Sequence, residues 1–300
     1  MIIKLIRKGI ELPILVMTFM SKVFVFVSDL YVSLLRFILR KDFRFERSLA
    51  KGVYEIFEDL KKNIVHTTTE GNSIPLVFYT PNAICKIRAE TFSTKEPEIL
   101  QWIDENGDDK PFWDVGACIG LYSIYFAKSC SGRVVSFEPS FFNLKQLAKN
   151  IFINKVYDQI DIVPTPLTNK KGFQKFAVSV GEEGGATNAF GVDYGGDGEE
   201  IHKEFQYSVM GISADDFLQQ SPNYEIPKLI KIDVDGIEHL ILSGMKNILQ
   251  STECKSVYVE VMDSFVEQAA NVESILLECG FYLDKKYVHR STNNQIWFKN

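Results

Sequence analysis

The stretch that most constrains the fold runs from Phe112 to Pro139 and reads as strand, glycine turn, helix, strand, acid. Phe112-Trp113-Asp114-Val115 is a short β-type run ending on Gly116, a residue free to take backbone angles that others avoid. From Leu121 the apolar spacing turns helical: Leu121, Ile124, Tyr125 and Lys128 share one side, which Phe126 and Ala127 widen. A second apolar run, Val134 to Phe137, ends on Glu138-Pro139. This is one β-α-β unit whose glycine turn sits where a strand hands over to a helix. Such a turn lets a ligand approach bare backbone at the positive end of the helix. An α/β, Rossmann-like sheet is therefore the expected fold class.

The acids argue which ligand. Glu138 lies 22 residues after Gly116, at the tip of the second strand. A carboxylate there can accept from both hydroxyls of a ribose. Dinucleotide folds use G-x-G-x-x-G because a pyrophosphate must touch backbone. Here the spacing is Gly116-x-x-x-Gly120, preceded by Asp114. A carboxylate that close repels a pyrophosphate and suits an ammonium or sulfonium group. S-adenosyl-L-methionine carries both, has a ribose and has no phosphate. A lone G-x-x-x-G is as well explained by a turn that holds nothing; Asp114 and Glu138 together favour the ligand.

Asp114-Val115-Gly116-Ala117-Cys118-Ile119-Gly120-Leu121-Tyr122-Ser123 resembles the cofactor motif of FkbM-type, S-adenosylmethionine-dependent methyltransferases, as does Ser136-Phe137-Glu138-Pro139. Lys95-Glu96-Pro97-Glu98 with Trp102-Ile103 resembles the lead-in of that family, and Ile230 to His239 its most distinctive block. The resemblance covers roughly Lys95 to Phe298. It implies a class I methyltransferase sheet of seven strands with a closing antiparallel hairpin. It also implies a cofactor site built from Asp114, Gly116, Ala117, Cys118, Gly120, Glu138 and Pro139. Cys118 stands where the family usually has asparagine, so the backbone rather than this side chain is left to meet the methionine carboxylate. Pro166-Leu167-Thr168 follows the third strand, where adenine lies in this fold type; Leu167 is either part of that site or of a plain loop.

Three hundred residues suffice for one large α/β domain with an appendage, and an apolar fraction of 46% can bury its core. A net charge of −6 makes a poor general binder of nucleic acid, whose phosphates need clustered Lys and Arg. The five cysteines are scattered without C-x-x-C spacing, which fits free thiols in a reducing, cytoplasmic compartment. The four histidines include no i, i+4 pair, so no metal site is expected from them.

Three segments follow: residues 1–41, an N-terminal helical extension; 42–94, a lead-in subdomain; and 95–300, the methyltransferase domain. In the first, Leu12, Val16, Phe19, Val23, Phe26 and Leu30 recur at steps of four and three, an amphipathic helix pattern. Glu11, Lys22 and Asp29 interrupt the run before it reaches the ~20 apolar residues of a spanning helix. No A-x-A-like cleavage site follows it. Packing on the catalytic domain or in a homo-oligomer, peripheral membrane contact through residues 1–40 with its basic residues, and a true span all stay open. In the lead-in, Val53 to Leu60 is helix-like, and Ile74–Tyr79 and Ile84–Ile87 read as a strand pair broken at Pro81-Asn82. Later, Gly181 to Gly198 holds seven glycines in eighteen residues, either a disordered surface loop or a mobile cover over the acceptor.

Leu229 to Val234 is an apolar strand carrying Asp233 near its C-terminal end. Ligands of open α/β sheets gather there, so Asp233 should face the same crevice as Asp114 and Glu138. Lys231, two residues back, can share its face and pair with it. Asp235-Gly236 reads as a turn pair. His239 is either a second base or a partly buried residue near a helix start. Glu260, near the end of the strand Ser256–Val261, resembles the family's acid facing the acceptor. Asp233, His239 and Glu260 are thus the candidate catalytic residues, and a small molecule or a glycan hydroxyl is the acceptor the resemblance implies. Three other readings compete. An NAD enzyme lacks its glycine spacing here. A membrane-tethered scaffold leaves the acids at three strand ends unexplained. A metal-assisted transferase would use Asp233, Glu260 and Asp263 as oxygen ligands.

Overall fold

In the computed structural model, residues 61–262, 264–287 and 294–300 are described, together with six residues between Met20 and Leu30. The chain divides into two compact units, Met1–Asp59 and Leu60–Asn300. In the first, the six described residues are helical and exposed. The rest of the apolar stripe, and the helix expected at Val53–Leu60, lie outside the described residues. No described helix is long and apolar enough to cross a membrane.

The second unit begins with an antiparallel hairpin, β1 (Lys61–Thr67) and β2 (Ser73–Tyr79), closed around Gly71-Asn72. The strand expected at Ile84–Ile87 is instead a helix, α1 (Ala83–Glu90). Asn82 decides this locally: its side chain accepts from the Cys85 N–H and so caps the first turn. Helix α2 (Pro97–Asn106) starts on Pro97, whose fixed φ suits a first turn.

The central unit follows as read: β3 (Phe112–Val115), α3 (Leu121–Ser129), β4 (Val134–Phe137), α4 (Phe141–Asn154) and β5 (Ile160–Val163). Short β6 (Leu167–Thr168) leads into the antiparallel pair β7 (Gly172–Val178) and β9 (Phe205–Ser213), with β8 (Ala189–Phe190) on the edge of β7. Then come α5 (Ala214–Gln220), β10 (Leu229–Ile232), α6 (Glu238–Ser243), α7 (Lys246–Gln250), β11 (Ser256–Glu260), α8 (Val266–Glu278), β12 (Tyr282–Leu283) and β13 (Asn294–Phe298).

Seven strands form the main sheet in the order β12-β13-β11-β10-β3-β4-β5. Six run in one direction, and β13 alone runs antiparallel, between β11 and β12, the expected closing hairpin. The three central strands β3, β4 and β10 are buried along their whole length, as covering on both faces requires. Trp113 and Val115 enter one core with Phe137 and Ile232; Phe112 enters the other with Trp102 and Phe126. Leu76, Phe78 and Phe92 from the N-terminal hairpin and its connection share that second core. The chain runs outward from β3 through β5 and returns to place β10 on the other side of β3. That reversal between β3 and β10 is the crevice where ligands bind in open α/β sheets.

The glycine-rich loop is packed, not loose. Asn82 Nδ2 donates to the Glu183 carbonyl at 2.9 Å, and Asn143 Nδ2 to the Gly185 carbonyl at 3.1 Å. The Gly184 N–H donates to Asn143 Oδ1 at 2.9 Å. Two side chains distant in sequence, Asn82 and Asn143, thus hold residues 183–185 of a segment whose composition gives no reason for order.

Candidate active site

The glycine turn is shaped by how closely two strand tips approach. Gly116 sits at φ +82°, and a Cβ there would lie 1.9 Å from the Asp233 carbonyl oxygen. No side chain fits. The Gly116 and Ala117 N–H groups both donate to the Phe137 carbonyl, at 3.0 and 3.1 Å, which fastens the turn to β4. Cys118 follows at φ +50°, a conformation costly for a residue other than glycine or asparagine. Gly120, at φ +85°, opens α3.

The Cys118 N–H donates to Glu138 Oε2 at 2.7 Å, and the Ser140 N–H to Glu138 Oε1 at 2.7 Å. Two amides thus fix the carboxylate in one pose, and each oxygen keeps acceptor capacity. Burial pushes the Glu138 carboxyl up to about 7, against the pull of those two amides.

Across the crevice, Lys231 is the buried cation that organises the acids. Its Nζ lies 3.3 Å from Asp114 and 3.3 Å from Asp233, and donates to the Gly116 carbonyl at 2.9 Å. Burial works against its charge, but Asp233 and Asp114 outweigh it and hold the ammonium well above the usual lysine range. Lysine and aspartate two apart on a strand share a face, so this pairing follows the expected spacing. Asp114 itself is fully buried, accepting from Ser123 Oγ at 2.6 Å. It does not line the cleft. It meets the cavity through Lys231 and through its field on Glu138 rather than by lining it, which corrects the expectation of direct contact with a cationic ligand.

Three carboxyls share the far wall: Asp233, Asp235 and Glu260. Burial raises Asp233, but Lys231, then Lys95 and Arg88, overcome it and hold its carboxyl below the ordinary range. Glu260 has no such cation. Burial first, then Asp233, Glu238 and Asp235, push it up to about 9, so it is protonated at neutral pH. Asp235 is pushed up to about 7 by burial, Asp233 and Glu238, opposed by amides including Asn188 N at 3.3 Å from Oδ2. Its turn reading is correct as far as it goes, since it sits at φ +64°. The same turn also puts its side chain on the cleft wall. Glu238 is buried beneath, accepting from Gln268 Nε2 and from the Gly236 N–H.

His239 is not brought to the site. It does not line the cleft; its half-buried ring packs edge-on to Phe265, 6.2 Å between centroids, and burial lowers its basicity. One position after Glu238, the helix turns it away from the strand tips. Gly116, Cys118, Glu138, Pro139, Leu167, Asp233 and Glu260 do line the main chamber, and Ala117 an adjoining one beside Tyr122 and Lys231. Apolar Phe137, Leu167, Ile237 and Ile241 form one wall. The cleft encloses about 910 Å³ outside protein atoms, open solvent at its mouth included. The sequence reading missed Arg88, Asn143 and Asp235 as wall residues. Only Asp235 had a local signal, its place two residues beyond Asp233.

A β-α-β turn on a switch point, a closing antiparallel hairpin, and an acid fixed at the tip of β4 define a Rossmann-like sheet of the class I methyltransferase kind. The methyltransferase FkbM domain matches residues 114–283, and the chain belongs to that family. The hexuronic acid methyltransferase AglP of Haloferax volcanii is 27% identical over 151 residues, 50% of this chain and 55% of that protein. The chain thus spans about half the length of the curated relative it matches. Among solved structures, methyltransferase FkbM from Methylobacillus flagellatus overlaps with a TM-score of 0.43 at 14% identity, over 64% of this chain and 44% of that one. The Bacillus cereus O-methyltransferase in complex with SAH overlaps with a TM-score of 0.41 at 15% identity, over 71% and 87%.

Proposed function

We propose that the cleft binds S-adenosylmethionine and that the protein methylates a hydroxyl on a sugar, polysaccharide or related natural product. The observation that carries the donor is Glu138: buried at the β4 tip, pinned by two amides, with acceptor capacity left for a ribose diol. Leu167, Phe137 and Ile237 offer an apolar wall to a purine. The bared backbone of Gly116 and Cys118, beside Lys231-buffered Asp233, suits the amino-acid end. The donor would supply an electrophilic methyl on a positively charged sulfur. Everything else is orientation and proton handling by this chain, and orientation alone is worth on the order of 7–11 kcal/mol. Asp233, ionised at neutral pH, accepts the acceptor's proton, and protonated Glu260 donates a hydrogen bond that orients the acceptor. His239 has no part in this. For the acceptor class, support comes from the family and from the hexuronic acid methyltransferase it resembles over half its length.

Calorimetry with S-adenosylmethionine tests the donor site: Glu138→Gln weakens binding, and an unchanged dissociation constant removes the ribose assignment. Asp233→Asn keeps binding and lowers turnover roughly 10²- to 10⁴-fold. Incubation with labelled donor and cell extracts then identifies the acceptor; label appearing on nucleic acid or protein alone would rule out the glycan reading.

A further inference from the structure

Among the described residues, one cation on the cleft wall has no carboxylate within ion-pair distance. Arg88 projects from the last turn of α1, outside the residues matched by the family. Its Nε donates to the Gly184 carbonyl at 2.8 Å, which fixes the plane of the guanidinium. Among the described residues, that is its one hydrogen bond, and no carboxylate pairs with it. The two terminal nitrogens are left free on a side chain that borders both chambers, the one around the glycine turn and the one holding Asp235 and Glu260. A cation in the last turn also suits the helix dipole. That explanation requires no anchoring to the glycine-rich loop and no place in the cleft. The Cys118 sulfur first, then Asp233 and Asp235, favour its charge against burial, but neither carboxylate offers it a contact.

A half-buried guanidinium with open donors is a costly arrangement unless a ligand completes it. Its planar fork matches a carboxylate bidentately, which an ammonium could not do. We propose that Arg88 is the carboxylate receptor of this cleft, fixed by Gly184 so that its two terminal nitrogens grip a ligand's carboxylate. This rests on the proposed function, and two ligands of that reaction could supply the group: the amino-acid end of the donor, or an acidic sugar as acceptor. Cys118 bears on the first, because a thiol is a poor donor to a carboxylate and leaves the task to another residue.

Calorimetry separates the sources. The donor arm compares S-adenosylmethionine with its decarboxylated analogue. The acceptor arm compares methyl glucuronoside with methyl glucoside on protein saturated with S-adenosylhomocysteine. Arg88→Gln is expected to lose about 10- to 100-fold in affinity for the carboxylate-bearing ligand and nothing for its counterpart. Collapse of the first ratio assigns the donor's carboxylate; collapse of the second assigns the acceptor's. Should both wild-type preferences persist in Arg88→Gln, the receptor assignment is overturned. Arg88→Lys keeps the charge without the fork and is expected to recover only part of the preference. It also carries the test should Arg88→Gln melt early through loss of the Gly184 contact. A wild-type protein that binds the glucuronoside but no adenosyl ligand sinks the proposed donor while leaving the Arg88 comparison intact.

Discussion

The two lips of the crevice handle acid in opposite ways. At the β4 tip a single carboxylate, Glu138, is held by two backbone amides from segments on either side of it. At the tips of β10 and β11 three carboxyls crowd one wall, and one of them has a lysine. The first arrangement fixes a position. The second fixes a proton count, because Asp233 keeps its charge at the expense of Glu260 and Asp235. An acid that binds a neutral sugar needs geometry. Acids that manage a reacting proton need unequal environments, which is how neighbouring carboxyls acquire different roles.

The sharpest way to break this contrast is to remove the cation. Lys231→Met leaves Asp114 and Asp233 without their partner, and Asp114 is fully buried. Breaking such a pair costs about 3–5 kcal/mol, read as a lowered urea midpoint. A loss under about 1 kcal/mol would show that Lys231 does not organise the acids. Gly116→Ala comes next. The left-handed backbone and the overlap with Asp233 together cost about 2–4 kcal/mol and pry the two lips apart. Loss of S-adenosylmethionine binding should accompany it.

The pH dependence of stability tests the proton count. Glu260 at about 9 in the folded chain binds a proton that the unfolded chain releases near 4.5. Its contribution is therefore full below about 4.5 and is lost as pH rises through about 9. Glu138 and Asp235 act in the same sense up to about 7. Asp233 acts oppositely, losing its contribution only on acidification, because its folded value is lowered. Urea resistance should thus decline from pH 5 to pH 9, by at most about 1.4 kcal/mol per pH unit for each group. Glu260→Gln should flatten the upper part of that decline; an unaltered slope would place the proton elsewhere. The smallest effect belongs to the exposed pair Arg133–Asp161, at 2.9 Å. Arg133→Ala should cost about 0.2–1 kcal/mol, which calibrates how much the buried lysine differs from a surface one.

The sequence by itself determined the β-α-β unit, the glycine turn, the acid 22 residues beyond it and the strand that leads into Asp233. Each is written in local spacing: period two, then period 3.6, punctuated by glycine. The Lys231–Asp233 pairing was legible for the same reason. The tertiary structure alone decided that Asp114 lies behind the wall, that His239 turns away, and that Asp235 and Arg88 join the cleft. It also decided that α1 is a helix capped by Asn82, and that the glycine-rich loop is held in place. Burial, proton affinity and partnership depend on residues tens to a hundred positions apart, as Arg88 and Gly184 are. No periodicity within one segment carries that information.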